Sequence, residues 1–393
     1  MLDPTKINEE LCRRKIEIEE FFNSNNTKLA NYKEILDKIS KMPYESLRKL
    51  AQECEVIPSD EHEKADKLVI KSDGKWKNPE QLRKWAIEVL RDRVTFGVDG
   101  SQSYFHKELN FPIAILQVGW FKNFHTTDSK PEKNSELSLL TPKEILKNQN
   151  ENISAESYVG QRRFAMEVEK TKEFLKSKRN WGQQNEKMPV AFFDGAFLIS
   201  LAKREIQENL SQSVIELVKL SAETKVPVVG YIDRSYSYDL SSLFALFDKD
   251  NVNKFSMDNA TLIEALSLLE SFGDRTIFFH SKRKDLKNYL QEAPTGFAYL
   301  KVNSSLPVRL DIPTWIFEEG QLDEVIEVVL AECVVGNGYP YPLSVADQIA
   351  FITNQDKTLF LETLIKNFSS SSGAQINLSF SRKPLSKKFF RSP

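Results

Sequence analysis

The 393 residues include only three cysteines, Cys12, Cys54 and Cys333, far apart and odd in number. That excludes a disulfide framework and a CxxC metal knuckle, and it points to a reducing, intracellular setting. No stretch approaches the roughly 20 uninterrupted apolar residues of a membrane span. The start, MLDPTKINEELCRRKIEIEE, lacks the basic and then apolar run of a signal peptide. A cytoplasmic protein with no membrane contact is expected. An excess of either charge is missing as well: 54 Lys and Arg stand against 56 Asp and Glu, a formal net charge of -2. A nucleic-acid partner must then be met by a local basic surface.

Several catalytic motifs are also absent. There is no GxxxxGKS or GxxxxGKT phosphate loop, so an ATP motor would have to reside in another chain, and no GxGxxG for a dinucleotide. The four histidines, His62, His106, His125 and His280, make no HExxH and no zinc spacing, and no GxSxG elbow occurs. Zinc hydrolysis, acyl transfer and hydride transfer lose their usual supports.

What is present has a clear order. Residues 1–92 are rich in Glu, Lys and Leu and repeat apolar residues three or four apart, as in Leu29, Tyr32, Ile35, Leu36 and Ile39, which predicts an amino-terminal helical region. From Val94 the texture turns β-branched and aromatic, and Phe111–Phe121 reads as a second strand in a hairpin with the first. Residues 123–157 are dominated by Asn, Ser, Thr, Glu and Lys and read as a long polar insertion. Strands and helices then alternate to about residue 368, which predicts a mixed α/β sheet flanked by helices. Residues 369–393 form a tail with Arg382, Lys383, Lys387, Lys388 and Arg391 and no acid.

The remaining chemistry lies in acids. Asp99 is expected to terminate a strand in FGVDGS and Asp194 a later one in VAFFDGAF, so an apolar strand delivers an Asp-Gly twice. Such a carboxylate costs several kcal/mol to bury unless it meets a metal, a cation or water. Between them, a helix carries Arg163, Glu167 and Glu169. Glu169 points about 200° away from Glu167 around the helix axis, so only one can share a site with the strands, and Glu167 shares the face of Arg163. A fourth acid, Asp347, follows Gly338-Tyr339-Pro340-Tyr341-Pro342 early in a later helix. Together Asp99, Glu167, Asp194 and Asp347 form an oxygen-donor set suited to one or two hard divalent cations.

The series VDGSQ, R-x-x-x-E on a helix, FFDGAF and YPYPLSVAD resembles the NurA nuclease family across roughly residues 94–355. The resemblance implies a ribonuclease H-like fold over residues 93–368. It also implies a metal-dependent DNA nuclease with 5′–3′ exonuclease and single-strand endonuclease activity in double-strand break processing. Asp99, Glu167 and Asp194 would bind manganese or magnesium, with Tyr339 orienting a phosphate or a ligand. The family's last motif usually ends in His where this chain has Asp347, an anionic oxygen ligand suited to the same ions. Arg163, Lys203 and Arg234 are the candidates for the basic groove. Implied partners are DNA, a second copy of the chain in a homodimer, and a HerA-type hexameric ATPase. The alternative is a catalytically inactive, nuclease-derived adaptor that binds DNA or the ATPase.

Overall fold

A computed structural model describes residues 2–74, 76–105, 107–149, 154–199, 204–247 and 257–368. Two compact units are each assembled from separate stretches. One comprises Met1–Lys75, Ile232–Leu290 and Pro294–Thr314; the other comprises Trp76–Tyr231, Gln291–Ala293 and Trp315–Pro393. The change of texture near residue 92 therefore does not coincide with the border of a unit. The helix Pro79–Leu90 stays with the strand that follows it, and Arg93 between them is buried, donating to Met188 O (2.7 Å) and Glu324 (2.8 Å).

In the first unit the predicted helical stripe closes on the core. Tyr32, Ile35, Leu36 and Ile39 are buried, and the Tyr32 ring lies 5.0 Å from that of Phe244. The region is not helical throughout, because it contains β1 (Val56–Pro58) and β2 (Val69–Ile70), too short to display a period-two pattern. These pair with strands from far along the chain: β8 (Arg275–Thr276), β9 (Phe279–Ser281), β10 (Thr295–Leu300) and β11 (Val308–Pro313). The order β1-β9-β10-β11 is antiparallel, and β8 pairs with both β2 and β10.

The second unit holds β3 (Thr95–Phe105), β4 (Ile113–Asn123), β5 (Glu132–Leu140), β6 (Val190–Asp194) and β7 (Val228–Ile232) in the order β5-β4-β3-β6-β7. The first three run antiparallel, and β6 and β7 join β3 in parallel, with the long helices Ala155–Ser177 and Arg204–Thr224 as the crossovers. Third-second-first-fourth-fifth is the ribonuclease H-like arrangement that the family resemblance implies.

The stretch 123–157 is corrected in one respect. It supplies β5, paired with β4 over nine positions from Ala114↔Leu140 to Lys122↔Glu132, and the helix Pro142–Gln149, so it is a member of the sheet rather than an insertion. β5 is exposed along nearly its whole length, which removes the apolar alternation by which a strand is recognised.

Side chains alternate across β3. Phe96 stacks on Phe174 of the helix Ala155–Ser177 (4.6 Å), so the residues in step with Phe96 face that helix. The opposite face carries the helix Tyr341–Ala350, lying against bare backbone: a Cβ at Gly97 would sit 2.7 Å from Leu343 N, and one at Gly119 of β4 would sit 2.6 Å from Ala350 N. Only glycine admits so close an approach. Among the described residues no helix is long and apolar enough to cross a membrane.

Candidate active site

Asp99 shares the face of Gly97, below the helix Tyr341–Ala350. The parallel register pairs Val98 with Phe193, so the next step along sets Asp194, the last residue of β6, beside Asp99. Val190 to Phe193 are fully buried, with Phe193 edge-on to Phe164 at 5.4 Å, and this apolar run fixes the strand whose end presents Asp194 to solvent. β3 continues past that point to Phe105, so Asp99 lies inside the strand rather than terminating it, a correction to the sequence reading. The two acids stand where the parallel pairing of β3 with β6 stops, at the carboxyl end of β6, the end at which open α/β sheets place their ligands.

Asp347 descends from the helix above and shares a side-chain hydrogen bond with Asp99. Glu167 comes from the helix on the other face and is buried. Its carboxylate takes the place a Cβ on Gly100 would need, and it accepts a short hydrogen bond from Arg163 Nη1, which also donates to Gly100 O (3.1 Å). Glu169 points to solvent and pairs with Lys172 (2.7 Å), as the helical spacing predicts.

All four candidate acids therefore converge within one unit. Exposure is graded: Glu167 is buried, Asp99 half-buried, and Asp194 and Asp347 are open to solvent. Burial pushes the Asp99 carboxyl up to about 6; the Gly100 N–H (2.7 Å) pulls the other way, and the charges of Asp194 and Asp347 add to the rise. Burial pushes Glu167 up to about 8 against the pull of Arg163, and Asp99 and Asp194 add to it. Such mutual repulsion among oxygen donors is what a hard cation relieves, so the residues fit a divalent metal. Among the described residues no group of three is already arranged as a cage, and Glu167 is turned onto Arg163.

The other candidates sit as follows. Tyr339 is half-buried in the turn before the Asp347 helix, its ring edge-on to Tyr231 at 5.0 Å. Tyr231 is the register partner of Asp194 on β7, and its hydroxyl donates to Gly338 O (3.3 Å), so the turn is tied to the strand beside the acids. Arg163 is committed to Glu167 and Gly100. Arg234 is exposed and belongs to the first unit. Lys203 and the basic residues of 369–393 lie outside the described residues. Gly97, Gly119 and Tyr231 escape a search for chemical side chains; the signal for the two glycines is their place inside strands, where glycine marks close approach.

A ribonuclease H-like sheet with acids side by side on its first and fourth strands, where their parallel pairing stops, defines the class of this protein. Within that class the chain belongs to the NurA family, whose NurA domain matches residues 93–352. Its structure is similar to the crystal structure of the NurA nuclease from Sulfolobus solfataricus, with a TM-score of 0.50 and 12% identity over 94% of this chain and 98% of that one. The C-terminal lobe of a budding yeast Argonaute aligns with a TM-score of 0.29 and 12% identity over 75% of this chain and 53% of that chain. No curated protein matches the sequence.

Proposed function

We propose that this chain is a divalent-metal-dependent nuclease that hydrolyses phosphodiester bonds in DNA. Its activities are 5′–3′ exonuclease and single-strand endonuclease in the processing of double-strand breaks. It acts in the cytoplasm as a homodimer working with a HerA-type hexameric ATPase. The observation that carries the reading is the convergence of Asp99, Glu167, Asp194 and Asp347 where the parallel pairing of β3 and β6 stops, in a NurA family member.

Asp99 and Asp194, adjacent on parallel strands, and Asp347 above them are the solvent-facing donors; Glu167 closes the set from below. When bound there, manganese or magnesium supplies a Lewis acid that makes a water nucleophilic near neutral pH and steadies charge on the phosphate. Arg163 holds the Glu167 carboxylate in place, and its own anchor on Gly100 O ties that helix to the strand bearing Asp99. The turn at Tyr339, fixed through Tyr231, sets one wall next to Asp194.

The test is an end-labelled duplex with manganese: loss of 5′-terminal nucleotides by the wild-type chain, and none with chelator or with Asp99→Ala, supports the reading. No cleavage together with no saturable manganese binding by calorimetry would replace it with the inactive adaptor.

A further inference from the structure

We propose that Arg234, Tyr236 and Tyr238 form a stacking platform for single-stranded DNA, an inference that rests on the DNA-nuclease reading above. The segment after β7 reads Arg234-Ser235-Tyr236-Ser237-Tyr238-Asp239, and its exposure alternates: residues 234, 236 and 238 are exposed, whereas Ser235 and Asp239 are buried. Tyr236 and Tyr238 are 74% and 49% exposed, so both offer aromatic surface to solvent. An exposed aromatic face is a surface on which a base can stack, so a base can lie on either ring. Arg234, two residues before the first ring, adds a cation for the phosphate.

The backbone beneath these side chains is held unusually firmly. Asp239 accepts two hydrogen bonds from Arg309 Nη1 (3.2 and 3.1 Å) and one from Asn259 Nδ2 (2.5 Å). Arg309 also donates from Nε to Asp311 (2.8 Å) and lies 3.9 Å over the Phe297 ring. Ser237 O accepts from Asn259 N (2.8 Å), Tyr238 O from Ser241 N (3.0 Å), and Ser235 Oγ lies 3.5 Å from the Tyr299 hydroxyl. Every second residue is thus anchored inward while its neighbour projects outward.

Arg309, Asp239 and Asp311 are all buried, and none of them belongs to the carboxylate centre. A buried ion network adds little stability over an apolar core of the same volume, so what it contributes here is position. A backbone fixed in advance spares the ordering cost of binding. Stacking on exposed aromatic rings is tolerant of base identity, which suits a nuclease that meets any sequence.

The experiment measures binding of the full chain, without metal and with chelator, to a labelled oligo-dT strand and to an abasic strand of equal length. Tyr236→Ala and Tyr238→Ala should each weaken oligo-dT binding roughly tenfold and leave abasic binding unchanged. The Phe variants should bind as wild type, because the ring face is kept. Arg234→Ala should weaken both strands and reduce the salt dependence by about one phosphate contact.

Wild-type affinity in the Tyr236→Ala/Tyr238→Ala double variant overturns the platform, as does an equal loss for both strands, which would mark a protein-facing surface. Photocrosslinking of a bromodeoxyuridine strand should label the 234–238 peptide; labelling confined to other peptides would likewise overturn it. Failure of the nuclease reading shows separately, as absence of manganese-dependent cleavage by the wild-type chain.

Discussion

Each unit of the molecule gathers acids that water does not fully solvate, and the two treat them differently. In the first unit Asp239 and Asp311 surround Arg309, whose basicity burial would lower but the two acids hold well above its ordinary value. The charge is balanced from within the chain. In the second unit Glu167 accepts from Arg163, yet Asp99 and Glu167 are still pushed up to about 6 and about 8, because burial and the neighbouring acids outweigh that one contact. Acids balanced by a buried cation shape the fold; acids whose protons are held by burial and mutual repulsion are the ones a cation from solution would relieve.

Substitution on either side separates the two kinds of cluster. Asp99→Ala and Asp194→Ala should each lower manganese-dependent cleavage by roughly a thousandfold or more without lowering the melting temperature of the metal-free protein, since each removes one repelling charge. A parallel fall in activity and stability would make the second cluster structural, like the first. Arg309→Met should cost about 3–5 kcal/mol in denaturant unfolding, because it strands two buried carboxylates. A loss below about 1 kcal/mol would erase the contrast.

The pH dependence sharpens the comparison further. Glu167 binds its proton more tightly folded than unfolded, so its stabilising contribution is complete below about pH 4 and is lost as pH rises through about 8. Glu167→Gln should therefore gain on wild type by on the order of 5 °C in melting temperature between pH 5 and pH 9 without metal. Saturating manganese should remove that gain, and a gap that stays constant with pH would contradict the assignment. The smallest effect is expected from Asp347→His, which exchanges one competent manganese ligand for another and should keep cleavage within about tenfold of wild type.

The proximity of the four acids was legible because each sits in a phrase with its own physics: an apolar run leading to Asp-Gly, which ends β6 but not β3, a helix with Arg and Glu one turn apart, and a turn feeding a helix. Local texture also located β3 and β4 to within a few residues. β5 was hidden because Glu132 to Leu139 faces outward on both sides of an edge position, so no hydrophobic pattern was required of it. Arg163 was legible as the i+4 neighbour of Glu167, but its second contact, with Gly100 O, and the room that the missing Cβ of Gly100 leaves for the carboxylate depend on another strand. Tyr236 and Tyr238 give no signal in a hydrophobic pattern, since their exposure is set by anchors more than 50 residues away in sequence, such as Arg309.

The helix Tyr341–Ala350 rests on main chain, where Gly97 and Gly119 offer it no side chains to pack against. Its height above the sheet is therefore set by atoms that every residue shares, and the address of position 347 is independent of what is delivered there. The side chain at position 347 is thus free of any part in holding its own helix in place, whereas the mount itself cannot gain a single methyl group.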